Sequence, residues 1–126
     1  MVGIVIVSHS EKLAEGVVDA TKIMADGCPI AAAGGTDDGG FGTSFEKIKT
    51  ALDSVYSDDG AVILVDMGSA VMTAEMVVEG YEHSNVYILD CPIAEGAIAA
   101  SLSSFCGDDI EEVKKQAISA KTEAKF

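Results

Sequence analysis

Four short apolar runs alternate with segments of helical periodicity along the whole chain, and this alternation constrains the fold more than any other feature. The runs are Val2–Val7, Ile30–Ala33, Ala61–Val65 and Val86–Leu89. Short uncharged runs rich in Val and Ile read as strands buried on both faces. Helical segments follow at Glu11–Ala25, after Thr43, at about Ser69–Glu79 and at about Ile93–Phe105, and a last helix starts at Asp108 or Asp109. Strands that alternate with helices imply a parallel sheet wound by right-handed crossovers. For four strands the common doubly wound order is 2-1-3-4, so the expectation is an α/β fold with a mainly parallel four-stranded sheet and helices on both faces. At 126 residues, positions 1–126 read as one domain with a sizeable core.

Local signals refine the elements. Ser8-x-x-Glu11 has capping-box form, with Ser10 as the alternative N-cap, and Leu13, Val17, Ala20 and Met24 recur on one face of the first helix. Residues 34–42 hold five glycines in nine positions and read as a loop. Thr43-x-x-Glu46 forms a second capping box, opening a helix with Phe45, Ile48, Leu52 and Val55 inward. Met67, Met72 and Met76 read as core, with a dimer or docking face as the alternative for Met72 and Met76.

The chemistry gathers where this topology puts it. In open α/β sheets ligands bind outside the carboxyl ends of the strands at the switch point, which for order 2-1-3-4 lies between strands one and three. The first strand ends in Ser8-His9-Ser10 and the third in Asp66-Met67-Gly68-Ser69. His9 and Asp66, distant in sequence, are therefore expected to be neighbours. A carboxylate that accepts one ring N–H fixes the imidazole tautomer and leaves the other nitrogen with a free lone pair, as a nucleophilic histidine requires. Gly68-Ser69 and Gly42-Thr43 each lead into a helix N-terminus, where amides and hydroxyls hold anions. His9 is thus the expected nucleophile and Asp66 its orienting partner. Ser10, Gly42, Thr43, Gly68 and Ser69 are the expected phosphate-binding residues, with no metal and no cofactor. A helix-capping or core histidine is the alternative for His9. His83 is expected to be exposed at the far end of the sheet, Asp37-Asp38 to form a solvated turn, and Asp90 to border the crevice.

Composition narrows the partners. The formal net charge is −13, from 21 acidic residues against 8 basic ones, and every base is lysine. An acidic field disfavours nucleic acid and anionic membrane, and suits a basic protein partner. Without arginine there is no bidentate phosphate clamp, so amides and hydroxyls must do the holding. A Walker A motif, a GxGxxG after the first strand and a Gly-x-Ser-x-Gly elbow are all absent from the sequence. Receiver domains carry an acidic cluster where His9 stands, and histidine phosphatases need arginines. Cys28, Cys91 and Cys106, odd in number and far apart, read as reduced thiols. With no membrane-length apolar run and no signal-peptide pattern, the expectation is a cytoplasmic protein.

Three motifs in order carry a resemblance. Ile-Val-Ser-His-Ser at the first strand, Gly-Gly-Thr-Asp-Asp…Gly-Thr-Ser in the second loop and Val-Asp-Met-Gly-Ser-Ala after the third strand resemble the mannose-type EIIA family of the phosphotransferase system. The likeness runs from Met1 to about Gly107. Mannose-transporter subunits tend to carry Gly-Gly-Ser-Pro after the third-strand Asp. Gly68-Ser69-Ala70 instead resembles the branch that serves phosphoenolpyruvate-dependent dihydroxyacetone kinases. That resemblance implies that His9 takes a phosphoryl group from phospho-HPr, on Nε2, and passes it to ADP held by a DhaL subunit acting with DhaK. It also implies that Asp66 orients the ring and that the protein is a homodimer. No HPr-like or enzyme I-like module is seen, so both are expected as separate proteins. The alternatives are an EIIA subunit of a mannose-type sugar transporter, and a non-catalytic acidic binding module on a flavodoxin-like scaffold.

Overall fold

The computed structural model describes residues 1–126. The strands are β1 (Gly3–Ser8), β2 (Ile30–Gly34), β3 (Ala61–Val65) and β4 (Val86–Leu89); the helices are α1 (Glu11–Ala25), α2 (Phe45–Val55), α3 (Gly68–Gly80), α4 (Ile93–Phe105) and α5 (Ile110–Ser119). All pairings are parallel and the order is β2-β1-β3-β4, as expected.

The period-2 geometry of β1 divides the core. Val2, Ile4 and Ile6 point to one side, with Val62 and Leu64 of β3, and meet Ala14, Val17 and Val18 of α1, Ala97 and Ala100 of α4, and Val113 and Ala117 of α5. Val5 and Val7 point to the other side, with Ala61 and Ile63, and meet Ile48, Ala51, Leu52 and Val55 of α2 and Ala70, Ala74 and Val77 of α3. The crossover from β1 to β2 thus runs over one face, and those from β2 to β3 and from β3 to β4 over the other. The change of face at β1 and β3 leaves a crevice above their carboxyl ends.

Several local expectations change. β1 runs one residue further than its apolar run, so Ser8 is a strand residue and is fully buried. On α1 the inward face is Ala14, Val17, Val18, Thr21 and Ala25, while Leu13 and Met24 are exposed. The reason is distance: small residues let the helix lie close to the sheet, and the long side chains turn outward. Ser44, not Thr43, caps α2, accepting the Lys47 N–H, and Phe45 is partly exposed. Gly80 lies inside α3 rather than after it. Met67, Met72 and Met76 are exposed and form no part of the core.

The end of β2 is packed against the start of α1 with no room to spare. A Cβ added at Gly34 would lie 2.6 Å from the Ser10 carbonyl oxygen and 2.7 Å from Glu11 Cα. Both are backbone atoms and neither can swing aside. Gly34→Ala is therefore expected to cost ~1–3 kcal/mol of stability by overpacking, read as a lower urea midpoint at unchanged m-value.

Candidate active site

β1 and β3 bring His9 and Asp66 together across 57 positions of sequence. His9 Nδ1 lies 3.1 Å from Asp66 Oδ1. The His9 backbone N–H donates to Asp66 Oδ2 at 3.1 Å, and the Ser8 hydroxyl donates to the same oxygen at 2.8 Å. The carboxylate thus receives donors on both oxygens and is 11 % exposed, against 20 % for the His9 side chain. Burial pushes the Asp66 carboxyl up, but the hydrogen bonds from Ser8 and from the His9 amide and ring outweigh it and hold the group below the ordinary carboxylate range.

An ionised Asp66 accepts from Nδ1–H, so the proton sits on Nδ1 and the lone pair on Nε2. Nε2 faces the opposite way, where Ser69 Oγ lies at 2.5 Å. The Ser69 hydroxyl donates to this lone pair. Ser69 stands in the first turn of α3, whose N-cap residue Met67 offers no side-chain acceptor to the turn. The helices α1, α2 and α5 are capped by Ser10, Ser44 and Asp109. At α3, then, the amides of Gly68 and Ser69 have no side-chain cap, and the helix end with its partial positive charge is the one that carries the Ser69 hydroxyl to the ring nitrogen. A Cβ on Gly68 would meet nothing within 4 Å, so the space above this turn is open.

The other expected site residues divide. Ser10 follows His9 and caps α1, its Oγ accepting the Leu13 N–H at 3.2 Å, with its own hydroxyl hydrogen left to donate. Gly42 and Thr43 are tied to the elements around the site. The Gly42 N–H donates to the His9 carbonyl at 2.9 Å, and the Thr43 hydroxyl pairs with Thr73 of α3 at 2.8 Å. These two residues hold the site rather than line it. Asp37 accepts from Ser44 and Asp38 from Thr36, so the acidic pair shapes its own turn. Asp90 and Asp66 both line a groove of about 500 Å³ between α3 and β4, with Asp90 also paired to Lys121 at 2.8 Å. His83 is exposed at the opposite end, stacked on Tyr56. The three cysteines are free thiols, with Cys106 exposed, and burial beside Asp90 pushes Cys91 up to about 11. The residue that sequence reasoning missed is Ser8, treated there only as a cap. The signal available was a hydroxyl at the end of an otherwise apolar strand.

The Ser69 contact gives a direct expectation. Ser69→Ala removes one donor beside Nε2 and leaves the Asp66 contact intact. Nucleophilic reactivity of His9 toward a phosphoryl donor should fall roughly tenfold, measured by the initial rate of phosphate incorporation, with the unfolding midpoint unchanged.

Comparison with known proteins shows the family. The family model EIIA-man, PTS system fructose IIA component, matches residues 3–114. The chain is 39% identical over 120 residues to the PEP-dependent dihydroxyacetone kinase, phosphoryl donor subunit DhaM, of Escherichia coli (strain K12), covering 90% of this chain and 25% of that protein. The chain therefore spans about a quarter of the length of that relative. It is 40% identical over 99 residues to the phosphoryl donor subunit DhaM of dihydroxyacetone kinase 1 of Listeria innocua, covering 79% of this chain and 78% of that one. With the Lactococcus lactis phosphotransferase subunit DhaM it shares 34% identity over 114 residues, 90% and 91% of the two chains. Among solved structures, a protein of unknown function, EF1359, superposes with a TM-score of 0.85 at 25% identity over 100% of this chain and 99% of that one. A sigma-54 interaction domain protein from Enterococcus faecalis shares the fold, with a TM-score of 0.73 at 14% identity over 92% and 87%. With its family model matched over residues 3–114 and relatives of similar length at 34% and 40% identity, the chain belongs to the EIIA-man family and is similar within it to the DhaM phosphoryl donor subunits.

Proposed function

We propose that this chain is a phosphohistidine carrier that takes a phosphoryl group from phospho-HPr on Nε2 of His9 and passes it to ADP held by a DhaL subunit, which with DhaK phosphorylates dihydroxyacetone. The observation that carries the reading is the His9 ring held at Nδ1 by Asp66, with Nε2 turned toward the uncapped start of α3.

The transfer needs little beyond position and charge. The Nε2 lone pair attacks phosphorus as the P–N bond of the donor histidine breaks, and the bonding pair returns to the donor ring. No proton has to leave Nε2, because the Nδ1 tautomer already placed it elsewhere. The positive charge that the ring gains is balanced by ionised Asp66. Ser69 turns its hydroxyl from Nε2 to a phosphoryl oxygen, and the amides of Gly68 and Ser69 with the Ser10 hydroxyl hold the others. In the second step an oxygen of the ADP terminal phosphate attacks, the P–Nε2 bond breaks and the ring recovers its lone pair. With no arginine to clamp it, the group is held by neutral donors and released readily.

Residues 1–126 act in this reading as one phosphotransfer unit in the cytoplasm, where HPr operates, and no helix is long and apolar enough to cross a membrane. The chain pairs as a homodimer, a state that sedimentation velocity measures directly. The net charge of −13 suits basic protein partners. The test is incubation with phosphoenolpyruvate, enzyme I and HPr. One acid-labile phosphate per chain is expected, discharged on addition of DhaL carrying ADP. Acid-stable label overturns the carrier reading. Discharge by a mannose-type EIIB subunit, but not by DhaL, replaces the kinase with a sugar transporter.

A further inference from the structure

Ser8 does more than end a strand. It is fully buried, and its Oγ accepts the Ser10 N–H at 3.0 Å. With that lone pair engaged, its single hydrogen goes to Asp66 Oδ2 at 2.8 Å. The His9 N–H reaches the same oxygen. Two donors therefore fix Oδ2, and the carboxylate is left with Oδ1 facing the imidazole. A carboxylate has two equivalent oxygens and one soft torsion, and a lone ring N–H would not decide its rotation. The Ser8 hydroxyl is also held from below, because the Ser8 carbonyl accepts the Gly35 N–H at 3.1 Å, which pins the residue between β1 and the loop after β2.

We infer that Ser8 is a positioning residue for the His9 reaction: its buried hydroxyl orients the Asp66 carboxylate and thereby holds the His9 proton on Nδ1 so that Nε2 is the reactive nitrogen. The inference rests on the carrier reading for its rate measurement alone. The tautomer of His9 is a property of the folded chain and is read without any partner.

The ionisable groups around Asp66 are His9, bonded to it from the β1–α1 junction, and, along the groove that Asp66 lines, Glu75 of α3, Asp90 after β4, which is paired with Lys121, and the Cys91 thiol. Replacing Ser8 leaves all of them in place. A change in how Asp66 titrates in that variant therefore reports on the lost hydroxyl.

The experiment compares the parent protein with Ser8→Ala and Ser8→Thr. Nitrogen-15 NMR of the His9 ring should show the Nδ1–H tautomer in the parent and in Ser8→Thr, and a substantial Nε2–H population in Ser8→Ala. Phosphate incorporation from phospho-HPr should slow roughly 10–100-fold in Ser8→Ala, as for the loss of other groups that orient a histidine from behind, and recover in Ser8→Thr. The Asp66 titration, followed by the carbon-13 shift of its carboxyl, should move upward in Ser8→Ala, because Asp66 without this donor protonates more readily. An unchanged tautomer in a folded Ser8→Ala protein overturns the inference. So does a slower rate with the Asp66 titration unmoved, the pattern of a merely structural residue. If Ser8→Ala does not fold, Ser8→Cys, with its weak S–H donor, gives the same tautomer readout. A parent protein that takes no phosphate overturns the carrier reading, while the tautomer comparison still decides the role of Ser8.

Discussion

His9→Ala is expected to take up no phosphate from phospho-HPr while folding as the parent does. The loss is complete because the covalent step needs a neutral nitrogen nucleophile, and the crevice offers no substitute. The other histidine, His83, lies at the opposite end of the sheet against Tyr56. The hydroxyls of Ser10 and Ser69 have no neighbouring base once the ring is gone, and that of Ser8, though bonded to Asp66, is fully buried out of reach of a donor. The cost in stability is small by comparison. Asp66 keeps the Ser8 hydroxyl and the His9 amide, both independent of the imidazole. Loss of one hydrogen bond to a charged group leaves a change of about 1–3 kcal/mol. Intact-mass spectrometry of the incubated protein, beside its thermal unfolding curve, separates the two effects. A phosphorylated His9→Ala protein would falsify the assignment of the nucleophile.

The second large effect is expected at Asp66. Asp66→Ala should slow phosphorylation about 10²–10⁴-fold, the range for removal of a positioned acid–base partner. The tautomer is no longer fixed, and the charge that the ring gains is no longer balanced. The same substitution also destabilises. The buried Ser8 hydroxyl and the His9 N–H lose their acceptor, at ~1–3 kcal/mol for each donor left unpaired. Asp66→Asn separates shape from charge, since the amide fills the same space but presents either an oxygen or an NH₂ to the ring, and the NH₂ selects the wrong tautomer. Its rate should stay close to that of Asp66→Ala.

The pH dependence follows from the lowered pKa of Asp66. A carboxyl whose folded pKa is depressed contributes stability that is fully present above the unfolded value, about 3.9. That contribution is lost as pH falls through the folded value, which lies lower still. The gap in urea midpoint between parent and Asp66→Ala should therefore narrow below about pH 4, down to the part left by the two unpaired donors. A gap that does not narrow in acid would mean that the ionised form is not what the hydrogen bonds stabilise.

The fold was legible because its signals are long-range and redundant. Strand–helix alternation leaves few topologies open once crossovers are right-handed, and order 2-1-3-4 then sets His9 beside Asp66 with no motif required. What escaped was decided by distances shorter than a pattern resolves. On α1, hydrophobicity favours Leu13 and Met24, but the space beside the sheet goes to the smaller Ala14, Val17, Val18, Thr21 and Ala25. Thr43 and Ser44 are adjacent hydroxyls of equal capping ability, and Gly42, with φ at 140°, turns the chain so that Ser44 meets the helix start. Gly42 and Thr43 were read as facing an anion, whereas the Gly42 N–H is occupied by the His9 carbonyl and the Thr43 hydroxyl pairs with that of Thr73. Ser8 hid in an apolar strand, where a small hydroxyl neither breaks the hydrophobic pattern nor advertises its acceptor.

The loop after β2 is fastened at two points, Gly35 to the Ser8 carbonyl and Gly42 to the His9 carbonyl. The stretch between them, with exposed Phe41 at one end, closes on itself through bonds of Thr36, Asp38 and Gly40. Changes of length or sequence at this tip are absorbed between the two fastenings and are not passed to the histidine. The loop can therefore vary in length and sequence between its two fastenings while the geometry at His9 and Asp66 is inherited unaltered.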